Sequence, residues 1–381
     1  MLPQSDSIMI GGLFSQSGVT ALVERVQRLA FLLAVEEINE IGGILGRPIA
    51  VIDGELGSSL SGFVAEAERL IAQGAKTLFG CYMSSTRRAV LPVIERNDAL
   101  LFYPTFYEGF EFSEHCVYSG ATPSQNSVWL ADYLAQNVGK RFYFAGSNYV
   151  FPYESNRIMR DLLQNRGCEV VEERYIPLDA SSEDIDRIIS DIQRYRKPLV
   201  VFLSVVGDAA PKFYQAYHAA GFDPVTQPIA SITLGEPEIA MIGAEAAAGH
   251  IVAAPYFASI ETARNKQFVQ KLRSRFNSNV PISACAEAAY FQVHLFAQAA
   301  RHAQAVDRKS VLQALPSVDF EAPQGNVRID QMTHHTYLTP RIGKVRFDGT
   351  FEIISSELAP VRPDPYMINY EGAVWGKSAY D

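Results

Sequence analysis

The feature that most constrains this chain is a rhythm of short apolar runs alternating with amphipathic segments of helical length, and the rhythm occurs twice. Residues 8–14 form a compact apolar run of the kind a buried strand requires. After it, Val23, Val26, Ala30, Leu33 and Ile38 recur near helical spacing across 21–41. Thr20 stands where a helix cap belongs, and Gly42–Gly43 stops the segment. A strand over 48–53, a helix over 62–74, a strand over 77–81, a helix over 86–97 and a strand over 100–103 follow. The rhythm then restarts. Helices are expected over 127–138, 154–166 and 182–195, with strands over 141–146, 169–176 and 199–205 and a further helix ending at 220. Such alternation predicts right-handed βαβ units and parallel sheets covered on both faces. The expected class is α/β, with two doubly wound parallel-sheet lobes in series. The tail differs, with a long helix over 283–302 and strand-like pieces at 325–329, 344–348 and 351–355. Asp348–Gly349 is a hairpin signal between the last two.

Composition narrows the function. A length of 381 residues suits two or three domains, and 48% hydrophobic with 20% charged residues excludes wholesale disorder. A net charge of −9 lacks the basic footprint of a nucleic-acid binder, so no direct nucleic-acid contact is expected. No stretch reaches the roughly 18 consecutive apolar residues of a membrane helix, so no membrane insertion is expected. The first residues, MLPQSDSIMIGG, lack the basic start and apolar run of a secretory leader. The expected location is therefore cytoplasmic, or periplasmic if a leader has been removed. Cys81, Cys116, Cys168 and Cys285 are scattered without a C-x-x-C pair, which favours free thiols in a reducing compartment.

Catalytic signals are weak. Ser84 and Ser85 have no G-x-S-x-G elbow around them. Cys81 stands at a strand end, which suits a nucleophile, although a small buried thiol is the commoner reading. His334 and His335 are adjacent, cannot share one face of a strand, and have no carboxylate or Cys cluster close in sequence. Ile10–Gly11–Gly12 and Gly42–Gly43–Ile44 match neither a dinucleotide fingerprint nor a Walker loop. No catalytic residue, metal or cofactor is expected.

What remains is a shared chemistry at strand ends. The first lobe supplies 14–18 (FSQSG), 82–85 (YMSS) and 103–107 (YPTFY), and the second supplies 147–151 (SNYVF), 205–207 (VVG) and 233–236 (TLGE). In open parallel sheets, ligands sit outside the carboxyl ends of the strands. Tyr, Ser and Thr donate and accept hydrogen bonds without carrying charge, so these ends suit a small neutral polar ligand. Ordinary turn composition is the bland alternative, since Ser and Gly crowd turns anyway.

The segments GCYMSSTRRAVLPVIERNDALLFYPTFYEGFE (80–111), ATPSQNS (121–127), GSNYVFPYESNRIMR (146–160), VVGDAA (205–210), VAAPYF (252–257), APQGNVRID (322–330) with the HH of 334–335, and RPDPY (362–366) together resemble type I periplasmic binding proteins across nearly the whole chain. Within that family they are most similar to the amide sensors that negatively regulate aliphatic amidase operons. The resemblance implies two lobes joined by three crossings, 8–122 plus 255–330 and 123–254 plus 331–381, closing on ligand like a flytrap. It assigns Tyr82, Ser84, Tyr103 and Thr105 to the first lobe's side of an amide pocket, and Tyr149, Val206 and Thr233 to the second's. Phe106 stands where the amide sensor has Pro, and Phe151 where the family has Tyr, which changes pocket volume and removes a hydroxyl. The urea-transport branch has Val-Gln after Tyr-Pro, whereas this chain has Thr105–Phe106, which favours the amide branch. In amino-acid-binding relatives an acid at the place of Glu236 meets an ammonium group. The implied function is a non-enzymatic sensor of a short aliphatic amide such as acetamide, whose partner is an RNA-binding antiterminator. The alternative is the solute receptor of an ABC importer for amides or urea. Self-association is left open, and no coiled-coil pattern argues for it.

Overall fold

The computed structural model describes residues 7–54, 56–277 and 279–368. The leader reading over residues 1–6 and the expected end of the second lobe over 369–381 lie outside these residues.

The chain opens with β1 (Ile8–Leu13), α1 (Ala21–Glu40), β2 (Ile49–Asp53), α2 (Leu60–Ala72), β3 (Thr77–Gly80), α3 (Ser84–Arg96), β4 (Leu100–Tyr103) and β5 (Cys116–Tyr118). Their strands form one sheet in the order β2-β1-β3-β4-β5, with every neighbouring pair parallel. Every residue of β3, β4 and β5 is buried, as a sheet covered on both faces demands. Thr20 occupies the N-cap position of α1 without a side-chain cap bond; its hydroxyl donates instead to the Glu24 carboxylate. Ser59 caps α2, which begins at Leu60 rather than at the expected Gly62, and the Ser59 hydroxyl accepts from Gly62 N.

The second run supplies α4 (Ser127–Asn137), β6 (Arg141–Ser147), α5 (Val150–Asn165), β7 (Glu169–Ile176), α6 (Ser182–Ile192), β8 (Val200–Ser204), α7 (Ala209–Ala219), β9 (Ile229–Ser231), α8 (Glu236–Ile242), α9 (Ala244–Ala247) and β10 (Ile251–Ala254). Helix α5 starts four residues before the expected 154. Tyr149 is extended at its N-cap, and Pro152 sits in the first turn, where a missing N–H has no intrahelical partner to lose.

Next come α10 (Ala263–Arg275), α11 (Ala284–Ala303), α12 (Arg308–Ala314) and an antiparallel sheet of β11 (Asp319–Ala322), β12 (Gly325–Ile329) and β13 (Thr336–Tyr337). Finally β14 (Arg341–Val345) and β15 (Phe351–Ser356) form the hairpin signalled by Asp348–Gly349. Gly349 N donates to Arg346 O, and the Asp348 carboxylate accepts from Thr350 N. The hairpin extends a seven-stranded sheet ordered β15-β14-β10-β9-β8-β6-β7. The strands from β10 to β7 are mutually parallel, and β14 is antiparallel to β10.

The chain divides into two compact units. The first runs up to Phe106, then takes Phe112–Ala121 and Ile260–Leu338; the second takes Tyr107–Glu111, Thr122–Ser259 and the chain from Thr339 onward. Apart from the brief excursion at Tyr107–Glu111, the chain passes between units at Ala121/Thr122, Ser259/Ile260 and Leu338/Thr339. The last crossing falls eight residues after the 330/331 boundary implied by resemblance. The reason is local pairing within the first unit. Thr336 Oγ1 donates to Tyr118 O at 3.0 Å, and Tyr118 bridges His335 in parallel register.

The first unit's core holds a line of aromatic rings, Phe14, Phe31, Phe79 and Phe102, with successive centroids 5.4, 5.3 and 5.0 Å apart. Phe296 of α11 lies edge-on to Phe79 and Phe102. These contacts bind helices to the sheet and give the strand ends a rigid footing. The second unit has its own core, in which Ile185, Ile188, Ile189 and Ile192 of α6 pack with Val201 and Leu203 of β8 and Phe213 and Tyr217 of α7.

Candidate functional site

In the first unit the site grows from the turn that joins β3 to α3. Gly80 has φ +129, and a Cβ there would lie 2.3 Å from Leu13 O, so only glycine lets β3 run this close to β1. Cys81 also has a positive φ, +63, which is costly for a side-chain-bearing residue and persists only where the surroundings impose it. They do so here: Cys81 N donates to Leu13 O at 2.8 Å, and Cys81 O accepts from Thr105 Oγ1 at 3.4 Å. The chain then enters α3 at Ser84 with Met83 as an N-cap that provides no side-chain bond. Thr86 Oγ1 donates to Met83 O at 2.8 Å, which tightens this entry.

Each expected residue of this unit has a definite place. Ser84 is buried in the first turn of α3, and Arg87 Nη1 donates to its hydroxyl at 3.5 Å. Tyr82 is 9% exposed; it packs with Val23 and Cys285 and meets Phe106 edge-on at 6.4 Å. Phe106 is half-buried. Tyr103 is fully buried, and its hydroxyl donates to Tyr82 O at 2.8 Å. The Arg87 guanidinium lies 4.6 Å from the Tyr103 ring centroid. Tyr103 thus shapes the turn from beneath. Thr105 is buried at the carboxyl end of β4 and links Cys81 to Gln27 Nε2, which donates to it at 3.3 Å.

Two buried residues of this cluster escaped the sequence reading. Gln27 and Glu24 lie one turn apart on α1, and neither is exposed. Glu24 accepts from Ser15 N at 2.8 Å and from the Thr20 hydroxyl, so it ties the end of β1 to the start of α1. Burial pushes its carboxyl up to about 7, against the lowering effect of those two hydrogen bonds. The signal was present in the sequence, since a Glu and a Gln three apart stand on the apolar face that carries Val23, Val26 and Ala30.

In the second unit, Tyr149 is half-buried at the N-cap of α5, with its ring 6.2 Å from that of Phe151. Val206 is buried just past β8, and its N–H donates to Ser147 Oγ at 3.1 Å. Thr233 N donates to Ser231 Oγ, and the two hydroxyls are 2.8 Å apart. Three strand ends of this sheet are therefore tied by serine hydroxyls. Glu236 begins α8 and is half-buried, but the acid that caps this helix is Glu238, whose carboxylate accepts from Gly235 N at 2.8 Å.

The nucleophile question has a physical answer. All four cysteines are free and buried. Burial, with Glu24 nearby, pushes the Cys81 thiol far above its ordinary range, so it is not poised as a thiolate. An aromatic disulfide reagent is expected to titrate four thiols after denaturation and none in the native protein before unfolding. Rapid labelling of Cys81 in the native protein would refute this. His335 is buried and stacked on Tyr118 at 4.2 Å, and its Nδ1 donates to Thr333 O, which places the proton on that nitrogen. Burial lowers its pKa to about 3, so the ring is neutral. Among the described residues no group of three His, Cys, Asp or Glu is placed to hold a metal ion, and no helix is long and apolar enough to cross a membrane.

Known proteins match this chain in sequence or in fold. The family model described as the periplasmic binding protein domain matches residues 8–372. The leucine-, isoleucine-, valine-, threonine-, and alanine-binding protein of Pseudomonas aeruginosa is 22% identical over 334 residues, covering 86% of this chain and 87% of that one. Limonene hydroxylase of Geobacillus stearothermophilus is 34% identical over 128 residues, which is 34% of this chain but spans only 23% of that protein. Among solved structures, the solute binding protein of an ABC transporter from R. palustris, in complex with 4-hydroxybenzoate, aligns with a TM-score of 0.84 at 20% identity. That alignment covers 93% of this chain and 98% of the other, and the likeness is one of fold.

Proposed function

Because the chain belongs to the periplasmic binding protein family, we propose that it is a non-catalytic receptor for one small neutral polar solute, a short aliphatic carboxamide such as acetamide. The observation that carries this reading is the β3–α3 turn. It brings Tyr82, Ser84 and Thr105 to adjacent carboxyl ends of parallel strands, and Glu24, a buried acid close enough to act on Cys81 in this turn, has a carboxyl that burial raises to about 7. A cationic solute would lose its hydration here against a counter-charge that this acid carries only in part at neutral pH. A primary amide needs a donor for its carbonyl and acceptors for its NH2. In this reading Ser84 and the first N–H groups of α3 give to the carbonyl, Thr105 receives from the NH2, and Tyr82 with Phe106 walls the alkyl chain. Tyr103 acts by holding Tyr82. Tyr149, Val206 and Thr233 are the contacts proposed from the second unit.

For the partner, we propose the permease of an ABC importer. The R. palustris protein is by its title a solute binding protein of such a transporter, and the P. aeruginosa protein is by its name an amino-acid-binding protein. A second reading rests on the sequence segments quoted above, and on Thr105 in particular. It is a sensor that changes its grip on an RNA-binding antiterminator when amide binds. That requires the amide to favour one state over the other, since equal affinity shifts nothing. Fractionation of cells expressing the native gene separates the two, because the importer role needs the protein outside the inner membrane and the sensor role needs it inside. Amide-dependent release of a captured antiterminator would establish the second.

Isothermal titration with acetamide, propionamide, butyramide, urea, leucine and 4-hydroxybenzoate tests the solute. Tight binding of a short amide over the rest is the expected result. Binding of leucine alone would transfer the role to Glu236 and an ammonium, and binding of urea alone would move the chain to a urea receptor. Thr105→Val should weaken acetamide binding by about tenfold to a hundredfold, because an unmet buried amide group costs about 1–3 kcal/mol. It should cost about 1 kcal/mol of stability through the lost bonds to Gln27 and Cys81. Unaltered affinity would remove Thr105 from the site.

A further inference from the structure

Gln27 is fully buried, and its side-chain bonding has a direction. A hydroxyl has one proton to give. Thr105 Oγ1 gives that proton to Cys81 O, so toward Gln27 it can only accept. This fixes the Gln27 amide with its NH2 on Thr105 and its carbonyl pointing elsewhere. That carbonyl oxygen, Gln27 Oε1, has no hydrogen-bond partner among the described residues. Buried polar atoms in native proteins are partnered in the large majority of cases, and each exception calls for a reason.

We infer that Gln27 Oε1 is a solute contact, accepting a hydrogen bond from an uncharged N–H such as the NH2 of a primary carboxamide. The inference rests on the receptor reading above and adds to it a residue from α1. The groups around Gln27 choose the type of donor. Both oxygens of Glu24 are already used by Ser15 N–H and the Thr20 hydroxyl. The remaining capacity nearest Gln27 is acceptor capacity, its own carbonyl and the second lone pair of Thr105. A solute carboxylate would therefore meet acceptors on this side. An ammonium would need a formed negative charge, which Glu24, raised to about 7, carries only in part at neutral pH. The Cys81 thiol is protonated, and the buried Arg87 guanidinium of α3 adds positive charge to the same turn. An uncharged N–H satisfies the free carbonyl without any of these costs.

The test compares wild type with Gln27→Met, which keeps the length of the side chain and removes the acceptor. Both are titrated with acetamide, N,N-dimethylacetamide and 4-hydroxybenzoate. Wild type should prefer acetamide to its dimethyl analogue, which has no N–H, and the variant should bind acetamide on the order of tenfold to a hundredfold more weakly. The preference for acetamide over the dimethyl analogue should collapse in the variant. Equal weakening for both amides would show that Gln27 only supports the fold and would overturn the inference. So would unchanged acetamide affinity, or wild-type binding of 4-hydroxybenzoate without any amide. Binding of none of the three by wild type would sink the amide-receptor reading together with this inference, whereas amide binding that ignores the substitution sinks this inference alone. If thermal unfolding shows the methionine variant to be unfolded, Gln27→Asn, one methylene shorter, withdraws the same oxygen and is read in the same way.

Discussion

Gly120→Ala is expected to lower the free energy of unfolding by about 3 kcal/mol or more and to abolish solute binding in whatever protein still folds. Gly120 follows β5, beside the segment that leaves β4. A Cβ at this position would lie 2.0 Å from Thr105 C, 2.2 Å from Thr105 O and 2.3 Å from Phe106 N. These are backbone atoms in a buried segment, so no rotamer change can clear the overlap. Ser119 N donates to Tyr103 O at 2.8 Å, which holds the two segments together just before the glycine. The methyl group must therefore push either β5 or Thr105 aside, and moving Thr105 breaks its links to Cys81 and Gln27. Denaturant unfolding and an acetamide titration on the same preparation check both effects. A wild-type unfolding midpoint would show that the Thr105–Phe106 segment yields freely, and that the close approach of Gly120 does not set the position of Thr105.

Glu24→Gln should change the pH dependence of stability by about 3 kcal/mol. The folded protein keeps the Glu24 proton up to about pH 7, whereas the ordinary carboxyl value is 4.5. Between these values folding takes up a proton, so wild-type stability falls as pH rises. The favourable contribution is complete below about pH 4.5 and lost above about pH 7. Glutamine does not titrate. The stability of Glu24→Gln relative to wild type should therefore shift in the variant's favour by about 3 kcal/mol between about pH 4.5 and about pH 8. Urea unfolding of both proteins at the two pH values measures it. A difference that does not change with pH would mean that Ser15 and Thr20 offset the burial of the carboxyl in full. The physical origin is desolvation of a carboxylate that two hydrogen bonds only partly replace.

Much of the fold was legible because parallel α/β architecture writes itself locally. Strand β4 and strand β7 fall where their apolar or β-rich runs predict, at Leu100–Tyr103 and Glu169–Ile176. The hairpin at Asp348–Gly349 follows from turn chemistry alone. Elements of three or four residues, such as Cys116–Tyr118, Ile229–Ser231 and Ile251–Ala254, did not stand out. They are too short to show a period, and only their neighbours in the sheet make them strands. Helix α5 begins at Val150 rather than at the expected 154, and Pro152 is accommodated because it falls in the first turn.

The candidate site divides along the same line. That uncharged hydroxyls and aromatic rings crowd the strand ends is a property of the sequence, since the carboxyl end of each strand is found by counting along the pattern. What each group does there was decided by the tertiary structure. Tyr103 is expected on the first lobe's side of the pocket, and the structure adds that its hydroxyl gives to the Tyr82 carbonyl. Glu24 and Gln27 stand as polar residues on the apolar face of the first helix, but only the fold shows that they meet Ser15 and Thr105, the latter 78 residues away along the chain from Gln27. The sequence by itself therefore determined the α/β rhythm, the two-lobed class and the neutral chemistry of the strand ends, because these follow from periodicity and residue type. The free end of Gln27, the raised carboxyl of Glu24 and the last crossing at Leu338/Thr339 were decided only by the fold, because burial and long-range hydrogen bonds depend on which distant segments meet.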